Sequence, residues 1–334
     1  MISKTRRIGI LMGGLSAERE VSIKTGEAVY AALAERGWDA YRIFVDREVD
    51  LVLRQLRIDV AFLALHGRYG EDGCIQGMLE MMGIPYTGSG VAASAIAMDK
   101  PRTKQLLQLS NLPTPPSYLA EPDRRDVHEQ HGEFGYPCVV KPADNGSSVG
   151  VTIVRDPVEL EPAIELAAQF SGRVLVERFV AGREISVAVL GGMALGAIEI
   201  APKAGFYDYQ NKYTAGRTEY HFPARLSPER YRGVLELAEK THELVGADGA
   251  TRVDLIVSER GNESILEINT LPGLTPTSLV PKIAHGCGLA FGELCEEILM
   301  RARLHAHGRA EERRAESRAF GTAERRAGGL VETH

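Results

Sequence analysis

What this chain lacks narrows it first. Its four cysteines, Cys74, Cys138, Cys287 and Cys295, include no C-x-x-C pair, so nothing points to a disulfide framework; reduced thiols of a cytoplasmic protein are the expectation. No apolar run approaches the roughly 20 residues that span a bilayer, so no membrane partner is expected. The N-terminus, MISKTRRIGILMGG, is basic and then apolar, but its apolar part is short and stops at a glycine pair followed by charge, so it is not read as a signal peptide. Positive charge is also in short supply. The 39 Lys and Arg fall below the 45 Asp and Glu, and a formal net charge of −6 argues against a nucleic-acid surface. There is no G-x-G-x-x-G fingerprint, no G-x-x-x-x-G-K-[ST] loop and no repeat at a fixed period.

What is present is an ordinary globular composition, 44% hydrophobic and 25% charged over 334 residues, enough for two or three well-buried domains. Arg7 to Met12 reads as a buried strand, and Ser22 to Arg36 has helical periodicity with Ala28, Val29, Ala32 and Leu33 on one side. A second unit follows, with a strand at Asp59 to Leu65, a loop HGRYGEDG and a helix around Ile75 to Met82. This alternation predicts a parallel sheet covered by helices. The proline cluster in LPTPPSYLAEPD reads as a linker, and a boundary is placed near 105 to 117. Beyond it, PCVVKPADNGSSVGVTIV looks like two strands joined by a Gly/Ser loop, and RVLVERFV and EISVAVLGG like two more. A polar aromatic loop, FYDYQNKYTAG, then precedes the helix SPERYRGVLELAEKTHELVG, with Ser227 as N-cap and Pro228 at its first position. Paired strands and a helix near 288 to 302 follow. From His305 the chain is rich in Ala, Arg and Glu, and a frayed or disordered tail is expected.

Two stretches carry chemistry. TRVDLIV and SILEINT flank SERGNE and read as a β-hairpin. Centred between Arg260 and Gly261, it sets Asp254 opposite Glu267 and Arg252 opposite Asn269, all on one face, with Leu266 and Ile268 on the buried side. Opposed carboxylates repel unless something neutralises them. An Asp, Glu and Asn oxygen set suits Mg²⁺ or Mn²⁺; a solvated face paired with Arg252 and nearby lysines accounts for the same spacing equally well. The second stretch is VVKPADNGSSVG, where glycines let backbone N–H groups approach phosphate and Lys141 adds a point charge. With Lys100, the Gly/Ser hairpin and the carboxylate pair suggest metal-nucleotide phosphoryl chemistry with an unknown acceptor.

Read together and in order, GGLSAEREVS, HGRYGEDGCIQGMLE, MDKPRTK, VVKPADNGSSVG, YDYQNKY and RVDLIV…LEINTLPGLTPTSLVP closely resemble the D-alanine–D-alanine ligases of the ATP-grasp superfamily over about residues 7 to 300. The resemblance implies a fold that is α/β and α+β, a three-domain ATP-grasp architecture with an N-terminal parallel-sheet domain. Its expected units are 1–105, a central ATP-grasp domain 106–205, a C-terminal domain 206–304 and the tail 305–334. It implies D-Ala-D-Ala formation from two D-alanines and ATP through an acyl phosphate, releasing ADP and phosphate for peptidoglycan synthesis. The implied cofactors are ATP and two Mg²⁺ or Mn²⁺ per chain, and a cytoplasmic homodimer is expected.

Residue by residue, Lys100 and Lys141 would contact nucleotide phosphates, Glu177 and the Phe179-Val180 segment adenine, and Glu184 the ribose. Many relatives carry Lys-Trp-Leu where this chain has Arg178-Phe179-Val180. Asp254, Glu267 and Asn269 would hold the metals. Glu18 would bind the first alanine's ammonium, while Arg252 and the Gly273 N–H would form the oxyanion site. Ser278 and Leu279 would receive the second alanine's carboxylate. Ser147, Tyr213 and Glu18 would close the site, with Lys212 reaching the γ-phosphate. His66, at a strand end, is placed in the substrate site. The rival readings are another ATP-grasp carboxylate–amine or D-alanine–D-lactate ligase, a non-catalytic ATP-binding module and, weakest, an NAD-dependent oxidoreductase.

Overall fold

A computed structural model describes residues 2–121, 126–146, 149–202 and 218–306. The chain begins with β1 (Arg7–Gly13), α1 (Arg19–Glu35), β2 (Asp39–Val45), α2 (Val49–Gln55) and β3 (Val60–Leu63). Both neighbours of β1 run parallel to it, in the order β2-β1-β3. A parallel strand covered on both faces needs apolar side chains on both. Accordingly Ile8, Ile10 and Met12 enter one core while Leu11 enters another. α1 approaches β1 at Gly26, where a Cβ would lie 2.5 Å from the Cβ of Met12. α3 (Cys74–Met82), α4 (Val91–Met98) and α5 (Lys100–Leu109) follow.

The second sheet is antiparallel. It comprises β4 (Ser117–Ala120), β5 (Cys138–Pro142), β6 (Thr152–Val154) and β7 (Val174–Arg178) in the order β4-β7-β5-β6, with α6 (Val127–His131) and α7 (Leu160–Ala168) against it. Its buried face sets Cys138, Val140, Val154, Val174 and Val176 against Leu160, Ala163, Ile164 and Ala167 of α7. The alternate residues, Val139, Lys141 and Glu177, lie on the other face.

The third sheet contains β8 (Gly182–Leu190), β9 (Met193–Pro202), β10 (Thr218–His221), β11 (Ala250–Ser258) and β12 (Glu263–Asn269), ordered β10-β9-β8-β11-β12 and antiparallel throughout. α8 (Pro228–Leu244) covers one face, packing Val234 and Ala238 on Ile185, Val187, Val253 and Leu255. Ser227 does stand at its N-cap position and Pro228 opens the helix, but the serine side chain makes no capping bond. α9 (Leu279–Gly286) and α10 (Phe291–Leu299) join Ala188 and Ile198 to Ile8, Ile10 and Leu33, so the first and third sheets share one core.

Sheet membership departs from the expected segment limits. β8 and β9, placed with the central segment by the sequence, pair with one another, and β8 also with β11 and β9 with β10. Ala97 and Leu107, from α4 and α5, pack into the same core as α8. His305 and Ala306, placed in a frayed tail, are anchored: their N–H groups donate to Glu80 at 2.7 and 3.2 Å, and the His305 ring lies 5.2 Å from that of Tyr86. The cause is a backbone bridge between Arg303 and Tyr86 that delivers the chain to this spot. Residues 307–334 lie outside the described residues. All four cysteines are unpaired, and burial pushes the thiols of Cys138 and Cys295 up to about 11 and about 12. Among the described residues no helix is long and apolar enough to cross a membrane.

Candidate active site

The inner faces of the second and third sheets enclose a cleft, with Phe179 and Val180 in the connection between β7 and β8. On the third sheet, Arg252 pairs with Asn269 and Asp254 with Glu267 across the hairpin, as the alternation requires. Below Asp254 the register shifts, so that Leu255 faces Ile265. This bulge inserts Leu266, which the simple alternation buries, and turns it to line the cleft beside Glu267. On the other side of β11, Ser186 lies opposite Asp254 and Glu184 opposite Ile256, and both line the cleft.

The carboxylates carry counter-charges. Arg252 grips Asp254 through Nε at 2.9 and 3.0 Å and Nη2 at 2.7 Å, while Ser186 donates its hydroxyl to the same carboxylate. Lys100, at the start of α5, stands 3.2 Å from Glu267 and donates to the Asn145 carbonyl at 2.7 Å. Its own N–H donates to the Ala143 carbonyl, which ties α5 to the base of the Gly/Ser loop.

On the second sheet Glu177 is 2% exposed and sits between Lys141 and Lys104. Burial raises its carboxyl pKa, but the two lysines more than offset this and hold it below the ordinary 4.5. Lys104 Nζ is 2.8 Å from Oε1 and also donates to Thr114 Oγ1 and the Pro115 carbonyl. Glu177, in the cleft wall, thus has a lysine at each of its carboxylate oxygens.

The first sheet supplies a third side. Glu18 precedes α1, and a Cβ on Gly146 would come 3.9 Å from its Oε2 and 3.1 Å from Glu71 Oε2. Gly67, at φ +68°, has Glu18 Oε2 at 2.9 Å from the same construction, so a side chain there would collide with the carboxylate. His66 is buried behind this loop, its Nε2 3.1 Å from Thr25 Oγ1 and its Nδ1 3.7 Å from Glu71, which accepts the Gly67 N–H at 2.7 Å. That geometry makes His66 a brace for the loop. Past β12, Asn269 Oδ1 accepts the Leu271 N–H at 2.9 Å, turning the chain towards Gly273. Ser278 then stands at the N-cap position of α9, its Oγ 2.8 Å from that of Thr275 and 3.0 Å from a Cβ on Gly273. Leu279 lines the cleft.

Ten of the residues singled out from sequence thus line one cleft: Lys100, Lys141, Glu177, Phe179, Val180, Glu184, Arg252, Asp254, Glu267 and Leu279. Asn269 lines an adjoining recess that shares Lys100, Gly146 and Glu267 with the cleft. Glu18 approaches at Gly146. Ser147, Lys212 and Tyr213 lie outside the described residues. Ser186, Glu71 and Lys104 were not singled out. Ser186 was recoverable from the alternation of β8, whereas a lysine in a helix carries no mark of burial.

The decisive observation is that this cleft sits in a chain that matches known proteins along most of its length. Residues 111–300 match the model described as D-ala D-ala ligase C-terminus, and residues 52–89 that described as D-ala D-ala ligase N-terminus. The chain belongs to the D-Ala D-Ala ligase family. It is 55% identical to a D-alanine–D-alanine ligase of Anaeromyxobacter sp. (strain Fw109-5), over 90% of this chain and 98% of that one. A crystal structure of D-alanine–D-alanine ligase from Bacillus anthracis complexed with ATP superposes with a TM-score of 0.79 at 33% identity, over 89% of this chain and 97% of that one. The VanG D-Ala:D-Ser ligase of Enterococcus faecalis superposes at 0.77 and 30% identity, over 88% and 98%. The ATP-grasp D-Ala ligase fold expected from the motifs is therefore the fold found.

Proposed function

We propose that this chain joins two D-alanines into D-alanyl-D-alanine at the expense of ATP, releasing ADP and phosphate, as a step of peptidoglycan synthesis. The observation that carries this reading is the convergence of Lys100, Lys141, Glu177, Arg252, Asp254 and Glu267 on one cleft in a member of this ligase family.

The nucleotide is assigned to the space between the two sheets. Lys100 and Lys141 offer point charges to its phosphates. Glu177 lines this space, and its carboxylate, with further lone pairs to offer, can accept the adenine amino group. The Phe179-Val180 segment follows the adenine edge, and Glu184 takes the ribose hydroxyls. Asp254, Glu267 and Asn269 form an oxygen-only set, with the two carboxylates directly opposed, which fits hard divalent cations. They would hold two Mg²⁺ or Mn²⁺, whose chemistry is to neutralise charge on the transferring phosphoryl group.

The chain's own residues divide the rest. Glu18 holds the ammonium of the first alanine near Gly146 and leaves its carboxylate to attack the γ-phosphorus, giving an acyl phosphate. His66 and Glu71 fix the loop that shapes this end. The second alanine lodges its carboxylate at Ser278-Leu279, where the first N–H groups of α9 are available to an anion. Its amine attacks the acyl carbonyl, and Arg252 with the Gly273 N–H stabilises the oxyanion until phosphate leaves. An acyl phosphate hydrolyses in water, so the segment with Lys212 and Tyr213, joined by Ser147, is assigned to closing the site. We take the working form to be a cytoplasmic homodimer, which light scattering would check.

The test is ADP release by the purified chain with D-alanine, D-serine and D-lactate offered singly and in pairs. The reading requires D-alanine-dependent ADP release with D-Ala-D-Ala as the main product. Predominant D-Ala-D-serine or D-Ala-D-lactate would replace it with another ligase specificity, and ATP binding without D-alanine-dependent turnover would replace it with a binding module.

A further inference from the structure

The four-residue step from Lys100 to Lys104 puts both amines on one side of α5. Lys100 lines the cleft, whereas Lys104 is 2% exposed and lies behind its wall. Lys104 is pinned from several directions. Its amine donates to Thr114 Oγ1 at 2.7 Å and to the Pro115 carbonyl at 2.9 Å, and Thr114 Oγ1 itself donates to the Ile265 carbonyl of β12 at 2.9 Å. From this seat the ammonium faces Glu177 Oε1, while Lys141 holds Oε2 from the cleft side. A buried carboxylate left without a counter-ion is strongly unfavourable. If Lys141 were its only partner, a phosphate could recruit Lys141 only by stranding Glu177.

We infer that Lys104 is a positioning residue of the nucleotide site, keeping the Glu177 carboxylate paired so that Lys141 can turn to a phosphate. This rests on the ATP-binding reading above. It assigns Lys104 no contact with the nucleotide, because Thr114, Pro115 and Glu177 occupy its amine. Of the groups facing that amine, Glu177 on β7 and Lys141 on β5 titrate, whereas Thr114 and Pro115 do not. Burial pulls the Lys104 amine down to about 8, with Glu177 opposing the fall and Lys141 adding to it. As pH rises through about 8 the second cation is lost, and nucleotide affinity falls with it.

The experiment measures ATP binding directly, without D-alanine, across about pH 7 to 9.5. Wild type should weaken as pH passes about 8. Lys104→Met, close to lysine in length, should bind ATP about tenfold or more weakly at pH 7, as loss of one charge-assisted contact implies. It should also lose the alkaline fall and keep its KM for D-alanine. In a Glu177→Gln background the same substitution should cost little more, because no carboxylate remains to be stranded. Unchanged ATP affinity in a folded Lys104→Met protein, costs that simply add in the double variant, or a flat wild-type profile would each overturn the inference. Should Lys104→Met fail to fold, the wild-type profile decides alone. Wild type that binds no ATP would overturn the nucleotide reading itself, a result distinct from these.

Discussion

The wall of the cleft built by β5 and β7 holds one carboxylate, Glu177, between two lysines, whereas the wall built by β8, β11 and β12 holds Glu184, Asp254 and Glu267 against Arg252. One wall has cationic charge to spare and the other anionic charge. Lys100, reaching from α5 to Glu267, spans the seam between them. The first wall suits a polyphosphate and the second suits the cations that travel with one. The difference also sets how each wall tolerates substitution. Glu177 keeps a partner if one lysine is lost, but Glu267 faces a like charge across the strand.

The largest effect should therefore come from the acidic wall. Glu267→Gln should lower turnover by at least ~10³-fold, because a cation on the transferring phosphoryl group supplies several kcal/mol. The melting temperature should hold, since loss of the Lys100 ion pair is offset by relief of the repulsion with Asp254. Near-normal ADP release from the folded variant would remove the metal assignment. On the basic wall, Lys141→Met should be milder, raising KM for ATP by about 10- to 100-fold while Lys104 still neutralises Glu177. Steady-state kinetics with ATP varied would read this, and an unaltered KM would leave the phosphate without its proposed partner.

A third comparison uses acid. The folded Glu177 carboxyl lies below its ordinary 4.5, because Lys141 and Lys104 outweigh burial. A lowered folded value contributes stability above about pH 4.5 and loses it as pH falls through the folded value. Melting temperature should accordingly drop below about pH 4.5, and Glu177→Gln should blunt that drop. An acid limb as steep in the variant as in wild type would show that Glu177 is not held as described. The smallest effect concerns the C-terminal anchor. A chain ending at Leu304 should melt about 2–4 °C below one ending at Ala306, corresponding to ~1 kcal/mol, because it forgoes two bonds to Glu80 and the contact with Tyr86. Equal melting temperatures would make the anchor incidental.

Much of this arrangement was legible in residue order. The period of two in the hairpin brought Arg252, Asp254, Glu267 and Asn269 to one face, and the paired strands deliver it. The bulge that turns Leu266 into the cleft was not legible, because Leu255 can face either residue without a change in local composition. β9 follows a Gly191-Gly192 turn, a hairpin signal that folds it back along β8, so the limit expected at 205 falls within the third sheet. α9 was hidden by Pro281, which is tolerated because it falls in the first turn, where the N–H has no partner to lose. Lys104 and Glu71 were missed for a different reason. Their roles depend on which distant backbone closes over them, and a charged residue in a helix or loop reads as a solvated one.

In the proposed reaction a carboxylate displaces ADP from ATP and an amine then displaces phosphate. Its most direct test is D-alanine labelled with ¹⁸O in both carboxyl oxygens, turned over with ATP, followed by mass analysis of the released phosphate. An acyl phosphate requires one labelled oxygen to leave in each phosphate and one to stay in the new amide. Unlabelled phosphate, released alongside D-Ala-D-Ala, would contradict the account.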